Sequence, residues 1–189
     1  NKVNHLNALS WELMYSNPDT SIILGKQALV LAEKSEWKKG VANSFGNLGV
    51  YYRLKADYPK ALDYFLKALK INETIGDKQG IAISYNNIGV IYQEQGIYDK
   101  ALEYHFKALK IRGKIIDKRR MADSYNNIGN IYLEQGIYAQ ATEYHLKSLK
   151  IREEIADKKG IGNSYNNIGG IYQKQGIYVR AWSRFERHS

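Results

Sequence analysis

The sequence repeats itself at a fixed interval of 40 residues. Residues 84–112 read SYNNIGVIYQEQGIYDKALEYHFKALKIR, and residues 124–152 match them at 22 of 29 positions. The segment SYNNIGGIYQKQGIY returns at Ser164, and a looser copy occupies residues 44–71. A period of this length is typical of stacked repeats, in which each unit buries its apolar face against its neighbours instead of in one central core. Arrays of this kind commonly bind ligands along an extended concave surface.

Composition is that of an ordinary globular protein and removes several functional classes. The chain is 44% hydrophobic and 25% charged, which is close to the average. Because it contains no cysteine, it has no disulfide, no thiolate nucleophile and no cysteine-based zinc site. We find no run of 18 apolar residues that would predict a membrane span. Residues 1–13 lack the apolar stretch of a signal peptide, so we expect a cytoplasmic protein, or a periplasmic one if a leader was removed.

Each repeat is predicted to form a hairpin of two helices. In the repeat 77–116, apolar side chains follow the three-and-four spacing of one helix face, first around Tyr85 and Ile88 and then around Ala101 and Leu109. Gly96 is expected to end the first helix. An aspartate precedes each later repeat, where its side chain can accept hydrogen bonds from the first turn of the next helix. These predicted caps are Asp77, Asp117 and Asp157.

A glycine recurs in the middle of the first helix in four of the repeats, at a cost of about 1 kcal/mol relative to alanine. Its recurrence predicts a close approach of the paired helix. We expect the glycines Gly49, Gly89, Gly129 and Gly169 to lie opposite the alanines Ala61, Ala101, Ala141 and Ala181.

The order of these residues resembles the tetratricopeptide repeat. In the third copy the pattern consists of Tyr85, Ile88, Gly89, Tyr92, Gly96, Tyr98, Ala101, His105 and Ala108. The period is 40 instead of the usual 34, as in long-repeat members that bind peptides. The resemblance extends to repeat arrays of bacterial signalling proteins, so the chain could be the sensor part of a larger protein.

The predicted fold is all-α, an array of antiparallel helical hairpins with about ten helices, and the resemblance implies a right-handed superhelix. We expect a single array over residues 1–189, with repeats at approximately 1–36, 37–76, 77–116, 117–156 and 157–189, the last incomplete. The divergent first repeat is interpreted as a cap. The last repeat leaves apolar side chains uncovered, which predicts self-association through this hairpin or cover by another domain. These side chains are Ile168, Ile171, Tyr172, Trp182 and Phe185.

The polar side of the first helices is the candidate binding surface. The resemblance implies that this side lines the concave face, and that the asparagine before Ile-Gly holds a ligand. Asparagine is unfavourable inside helices, yet its amide both donates and accepts and can pair with a peptide backbone. Alternatively, these amides tie neighbouring repeats together or face solvent. The candidate ligand-binding residues are Asn47, Asn86, Asn87, Asn126, Asn127, Asn130, Asn166, Asn167, Gln93, Glu94, Glu134 and Gln173.

Three positions on this surface hold different residues in different repeats. Selective recognition of a ligand would require such variation, and neutral drift would also explain it. The first position holds Asn43, Ile83, Asp123 and Asn163. The second holds Val50, Val90, Asn130 and Gly170, and the third holds Arg53, Gln93, Leu133 and Gln173.

No motif indicates catalysis. The metalloprotease, hydrolase and phosphate-loop patterns are missing from the sequence. His105 and His145 occupy the same position of successive repeats, which lie too far apart to share one metal ion, so we expect hydrogen-bonded core histidines. The sequence therefore predicts a non-catalytic scaffold for a protein or an extended peptide, with no metal and no cofactor.

The net charge of +9 suggests a different class of partner. Basic residues are densest between Lys107 and Arg120, on the predicted outer side of the second helices. We interpret them as a solvated convex face. An acidic protein surface or nucleic acid is the alternative partner, although no nucleic-acid-binding motif accompanies the charge.

Overall fold

The computed structural model describes residues 2–176, and its described secondary structure is entirely helical. In chain order the helices are α1 (Lys2–Leu13), α2 (Pro18–Lys34), α3 (Lys38–Leu54), α4 (Tyr58–Thr74), α5 (Lys78–Glu94), α6 (Tyr98–Lys114), α7 (Lys118–Glu134), α8 (Tyr138–Glu154) and α9 (Lys158–Lys174). The prediction of an all-α array of helical hairpins is confirmed. The tenth helix, expected after Tyr178, falls outside the described residues.

The period of 40 follows from the helix lengths. Helices α2 to α9 each contain 17 residues and are joined by three-residue links. The predicted aspartate caps are confirmed, because Asp77 accepts from the Gly80 amide at 3.0 Å, Asp117 from Arg120 at 3.1 Å and Asp157 from Gly160 at 3.0 Å. The hydrogen bond from Gly80 lowers the pKa of the Asp77 carboxyl.

The second residue of most links has a left-handed backbone. Gly96, the predicted helix end, has a φ of 72°, whereas the equivalent Ile116 has a φ of 56°. Because a β-branched side chain is strained in this region, we expect Ile116→Gly to raise the free energy of unfolding by about 1 kcal/mol. Chemical denaturation measures the change. The reverse substitution Gly76→Ile, where φ is 68°, is the control and must destabilise; an unchanged Ile116→Gly midpoint contradicts the expectation.

The helices form two compact units, Asn1–Ile111 and Arg112–Ser189. In the first unit each helix from α1 to α5 packs on the next, and the first helices α1, α3 and α5 also contact one another in succession. Its core includes Leu48, Phe65 and Ile88. In the second unit α8 packs between α7 and α9. The array over residues 1–189 stays a prediction.

The recurring glycines face a different partner from the one expected. A Cβ placed on Gly49 would lie 2.5 Å from the Phe65 ring, and one on Gly129 would lie 2.9 Å from the His145 ring. Gly89 has the same relation to His105. The prediction of alanines opposite the glycines was therefore wrong, because the side chain four residues further along the second helix fills this space. The position equivalent to these rings in the last repeat, 185, lies outside the described residues.

The two predicted core histidines are fully buried. Neither ring nitrogen of His145 has a hydrogen-bond partner among the described residues, so the expected hydrogen bonding is wrong for this residue. Burial, with a further contribution from the charge of Arg152, lowers the pKa of His145 to about 4. His145 is thus a neutral ring at neutral pH. Within residues 2–176, no cluster of three or more His, Asp or Glu side chains could hold a metal ion.

The end repeats differ from their sequence-based interpretation. The first hairpin is not a polar cap, because Leu9, Ile23 and Val30 are 43%, 56% and 47% exposed. At the other end, Ile168 and Ile171 are buried and do not contribute to an uncovered patch. Trp182 and Phe185 fall outside the described residues.

Candidate functional site

A groove runs along the first helices of the first unit. It encloses about 500 Å³ and is lined mainly by α1, α3 and α5. The predicted residues Asn47 and Asn87 occupy equivalent positions on α3 and α5 and both line it. The variable positions Asn43 and Ile83 line it as well. The spacing of the repeat therefore brings the two successive asparagines to one surface.

The side chains of Asn47 and Asn87 do not tie neighbouring helices together. Both side chains are half-buried, and neither forms a side-chain hydrogen bond with the rest of the described chain. Asn7 behaves differently, because its Nδ2 donates to Ser44 Oγ at 3.2 Å and links α1 to α3. The groove thus contains both amides that tie helices together and amides that do not.

Apolar side chains adjoin these amides. Trp11, which is 46% exposed, and Val50 line both the groove and a neighbouring hollow of about 350 Å³. The hollow also contains the predicted residue Asn86, together with Val90 and Arg53. Asn86 consequently lies on the same side of the unit as Asn87. Trp11 was not predicted to lie on this surface, because the first repeat diverges from the others.

The second unit has a smaller hollow of about 320 Å³ that is almost wholly polar. It is lined by Asn126, Asn130, Asn163, Asn166, Asn167 and Arg152. Asn167 Nδ2 donates to Asn126 Oδ1 at 2.8 Å, so these two amides tie α9 to α7. At this pair the alternative function of the asparagines, linking neighbouring repeats, is observed.

The remaining predicted site residues lie apart from these hollows. Glu94 forms an ion pair with Arg53, with 2.6 Å between Glu94 Oε1 and Arg53 Nη1. Gln93 and Asn127 are half-buried. Glu134 and Gln173 are exposed on α7 and α9. None of these five side chains lines the grooves described above, and their role in binding stays a prediction.

Two buried arginines were missed by the sequence analysis. Arg112 donates to Ser124 Oγ and, at 2.9 Å, to the carbonyl of Arg120, while Arg152 donates to the carbonyl of Gly160 at 2.7 Å. Arg112 therefore does not belong to a solvated convex face, and its prediction as part of one was wrong. The signal that could have revealed this role is the recurrence of arginine at the same repeat position.

Ion pairs neutralise much of the rest of the basic stretch. Lys107 pairs with Glu103 on α6, Arg120 with Asp117, and Lys118 with Glu154 at 3.0 Å. Exposed pairs of this type add little stability. They do, however, reduce the positive charge that this surface presents to an anionic partner.

Comparison with protein families identifies the repeat. A family model described as tetratricopeptide repeat matches residues 40–114 and 120–188, which is most of the chain. The chain belongs to the tetratricopeptide repeat family. We found no matching curated protein. Members of this fold generally act as non-catalytic scaffolds, and no described helix has the length and hydropathy needed to cross a bilayer.

Solved structures share this fold at low sequence identity. BtubC (BKLC) from P. vanneervenii is 20% identical, with 98% of this chain and 85% of that chain covered at a TM-score of 0.76. Kinesin-light-chain-like repeats from Podosopora anserina are 14% identical, with 98% and 92% covered at 0.76. Aspartyl phosphate phosphatase F from Bacillus subtilis is 17% identical, with 95% and 52% covered at 0.78. These similarities establish the tetratricopeptide fold.

Proposed function

We propose that this tetratricopeptide repeat array binds an extended peptide along the groove of α1, α3 and α5. The observation that supports the proposal best is the pair Asn47 and Asn87. Their amides occupy equivalent positions on neighbouring helices, line one groove and make no side-chain hydrogen bond within the described chain. An amide can donate to a backbone carbonyl and accept from a backbone N–H, and thus hold a peptide without reading its side chains.

The specificity of the groove would come from the apolar residues beside these amides. Trp11, Val50 and Ile83 line it, and an exposed aromatic beside aliphatic side chains favours an apolar ligand side chain. We therefore infer that the peptide has an apolar residue near the segment held by Asn47 and Asn87.

The proposal predicts the effect of removing the amides. Peptides selected from a random library on the wild-type protein should bind about fivefold more weakly to Asn87→Ala, and about thirtyfold more weakly to Asn47→Ala/Asn87→Ala. Each lost hydrogen bond contributes about 1 kcal/mol. Isothermal titration calorimetry measures the affinities. Because alanine is the better helix former, the variants should unfold at the same temperature as the wild type or above it.

Lys70→Ala provides the matched control. Lys70 is exposed on α4 and does not line the groove, so its removal should leave peptide affinity unchanged. The salt dependence separates this proposal from binding to nucleic acid or an acidic surface, since phosphate binding weakens steeply with salt. Equal affinities of the wild type and the double asparagine variant, together with a steep loss of affinity with salt, contradict the proposal.

A further inference from the structure

The second hairpin carries a polar cover over its outer surface. Lys67 on α4 lies with its Nζ 6.0 Å from the ring centroid of Phe45 on α3. The same Nζ is 2.7 Å from Asp63 Oδ2. The aromatic ring fills the space between the two helices, and the lysine and aspartate cover it with charge. This hairpin therefore presents an ion pair to solvent at a point where it would otherwise present an apolar groove.

The next two hairpins have the same cover. Lys107 lies 5.8 Å from the ring of Tyr85 and pairs with Glu103. In the fourth hairpin, Lys147 pairs with Glu143 at 2.6 Å and lies 4.7 Å from the ring of Tyr144 on the same helix, and that ring lies 6.1 Å from Tyr125 on α7. The arrangement is thus a regular feature of the repeat, formed by an acid and a lysine four residues apart on each second helix.

The first hairpin lacks this cover. Helix α2 places Ile23 where the later repeats have the acid and Gln27 where they have the lysine. On α1, Leu6 takes the position of the aromatic ring when the buried Val3 and Ser10 are aligned with Ala42 and Gly49. All three replacements remove charge or bulk from one surface. The result is an open groove of about 530 Å³ between α1 and α2.

The groove is apolar with a basic rim. Leu6, Ile23, Val30 and Leu31 line it, and Ile23 and Val30 are about half exposed. Its charged lining residues are Lys2 and Lys26, and neither has an ion-pair partner among the described residues. Exposed apolar patches of this kind usually mark interaction sites. The unpaired lysines favour a partner with negative charge.

We propose that this groove docks an amphipathic helix of a partner protein whose apolar stripe is flanked by acidic residues. Ile23 and Val30 are separated by about two helical turns, which suits the i, i+4 and i+7 anchors of a helix in a groove. This site shares no lining residue with the groove of α1, α3 and α5 that contains Asn47 and Asn87, which we call the asparagine groove. A repeat array with both sites would bind an extended peptide and a helix at separate surfaces.

Two synthetic 16-residue helical peptides test the proposal. They share one leucine stripe, and one has glutamates and the other lysines beside it. Fluorescence anisotropy should give an affinity at least tenfold higher for the glutamate peptide. Lys26→Glu should abolish or reverse this preference. Equal affinities for the two peptides, or binding to anionic vesicles without binding to either peptide, would overturn the proposal.

A variant that closes the groove can be designed by copying residues from the third repeat. The substitutions Leu6→Tyr, Ile23→Glu and Gln27→Lys install the cover that the third repeat already has. We expect this variant to stay folded, as measured by thermal unfolding, and to bind the glutamate peptide at least tenfold more weakly. If this variant binds the glutamate peptide as tightly as the wild type does, the peptide binds elsewhere and the proposal is overturned. The proposal is also overturned if the glutamate peptide loses binding to the Asn47→Ala/Asn87→Ala variant but not to the variant with the closed groove.

Discussion

Replacing Gly49 with alanine should lower the free energy of unfolding by about 1–3 kcal/mol, although alanine is normally the better helix former. The new Cβ would lie 2.5 Å from the Phe65 ring, which is itself fully buried and unable to move aside without displacing the core. The same change at Gly129, where the distance to His145 is 2.9 Å, should destabilise less. Replacement of either glycine by leucine should be more damaging. Chemical denaturation measures both series.

Gly46→Ala is the matched control for this prediction. Gly46 lies in the same helix, and a Cβ there would meet no atom within 4 Å apart from the adjoining backbone of its own helix. We therefore expect a gain of about 0.5–1 kcal/mol from helix propensity. Phe65→Leu combined with Gly49→Ala should recover part of the loss, because the smaller side chain vacates the space. A melting temperature unchanged by Gly49→Ala would refute the assigned contact.

Lowering the pH should destabilise the protein through His145. Its pKa falls from the usual 6.5 to about 4 in the folded protein, so the unfolded chain takes up a proton over this interval and the folded chain does not. The stability contribution is therefore complete above pH 6.5 and lost progressively as the pH falls towards 4. Its size is about 3 kcal/mol. Denaturation at several pH values between 7 and 4 measures it.

The variant His145→Phe isolates this effect. The second repeat already has Phe65 at the equivalent position, where the ring packs against Gly49, so phenylalanine should fit against Gly129. The variant should lose less stability than the wild type between pH 6.5 and pH 4, by up to about 3 kcal/mol. If both proteins lose stability equally over this range, His145 is not the titrating group.

Much of the fold could be predicted because the same pattern of capping, helix-ending and apolar residues recurs in several repeats. Asp77, Asp117 and Asp157 each precede a helix, and Gly96 follows one, so these caps and links were correctly located. The packing of side chains between helices was less predictable. The sequence indicated that Gly49 faces a neighbouring helix, but helix crossing geometry decides that Phe65 and not Ala61 fills the space.

The buried arginines show a second limit of sequence reasoning. Arg112 follows a lysine-rich stretch and was assigned to the solvated face, yet it is buried and bonded to Ser124. A helical wheel separates buried from exposed positions on one helix. It does not reveal that Ser124 Oγ and the Arg120 carbonyl on the next helix can accept hydrogen bonds from Arg112. That Asn47 and Asn87 lie on one surface followed from their shared repeat position, whereas their role in binding stays a prediction.

The most direct test of peptide binding by the asparagine groove is an NMR titration that follows the side-chain amides. A ¹⁵N-labelled protein would be titrated with a peptide selected from the random library, with resonances assigned by single Asn→Ala variants. The proposed function predicts large shifts for the Asn47 and Asn87 side-chain amides and little change for backbone amides around Lys70 on α4. The proposed function would be contradicted if the Asn47 and Asn87 signals did not change and the shifts were confined to the lysine-rich second helices α4, α6 and α8.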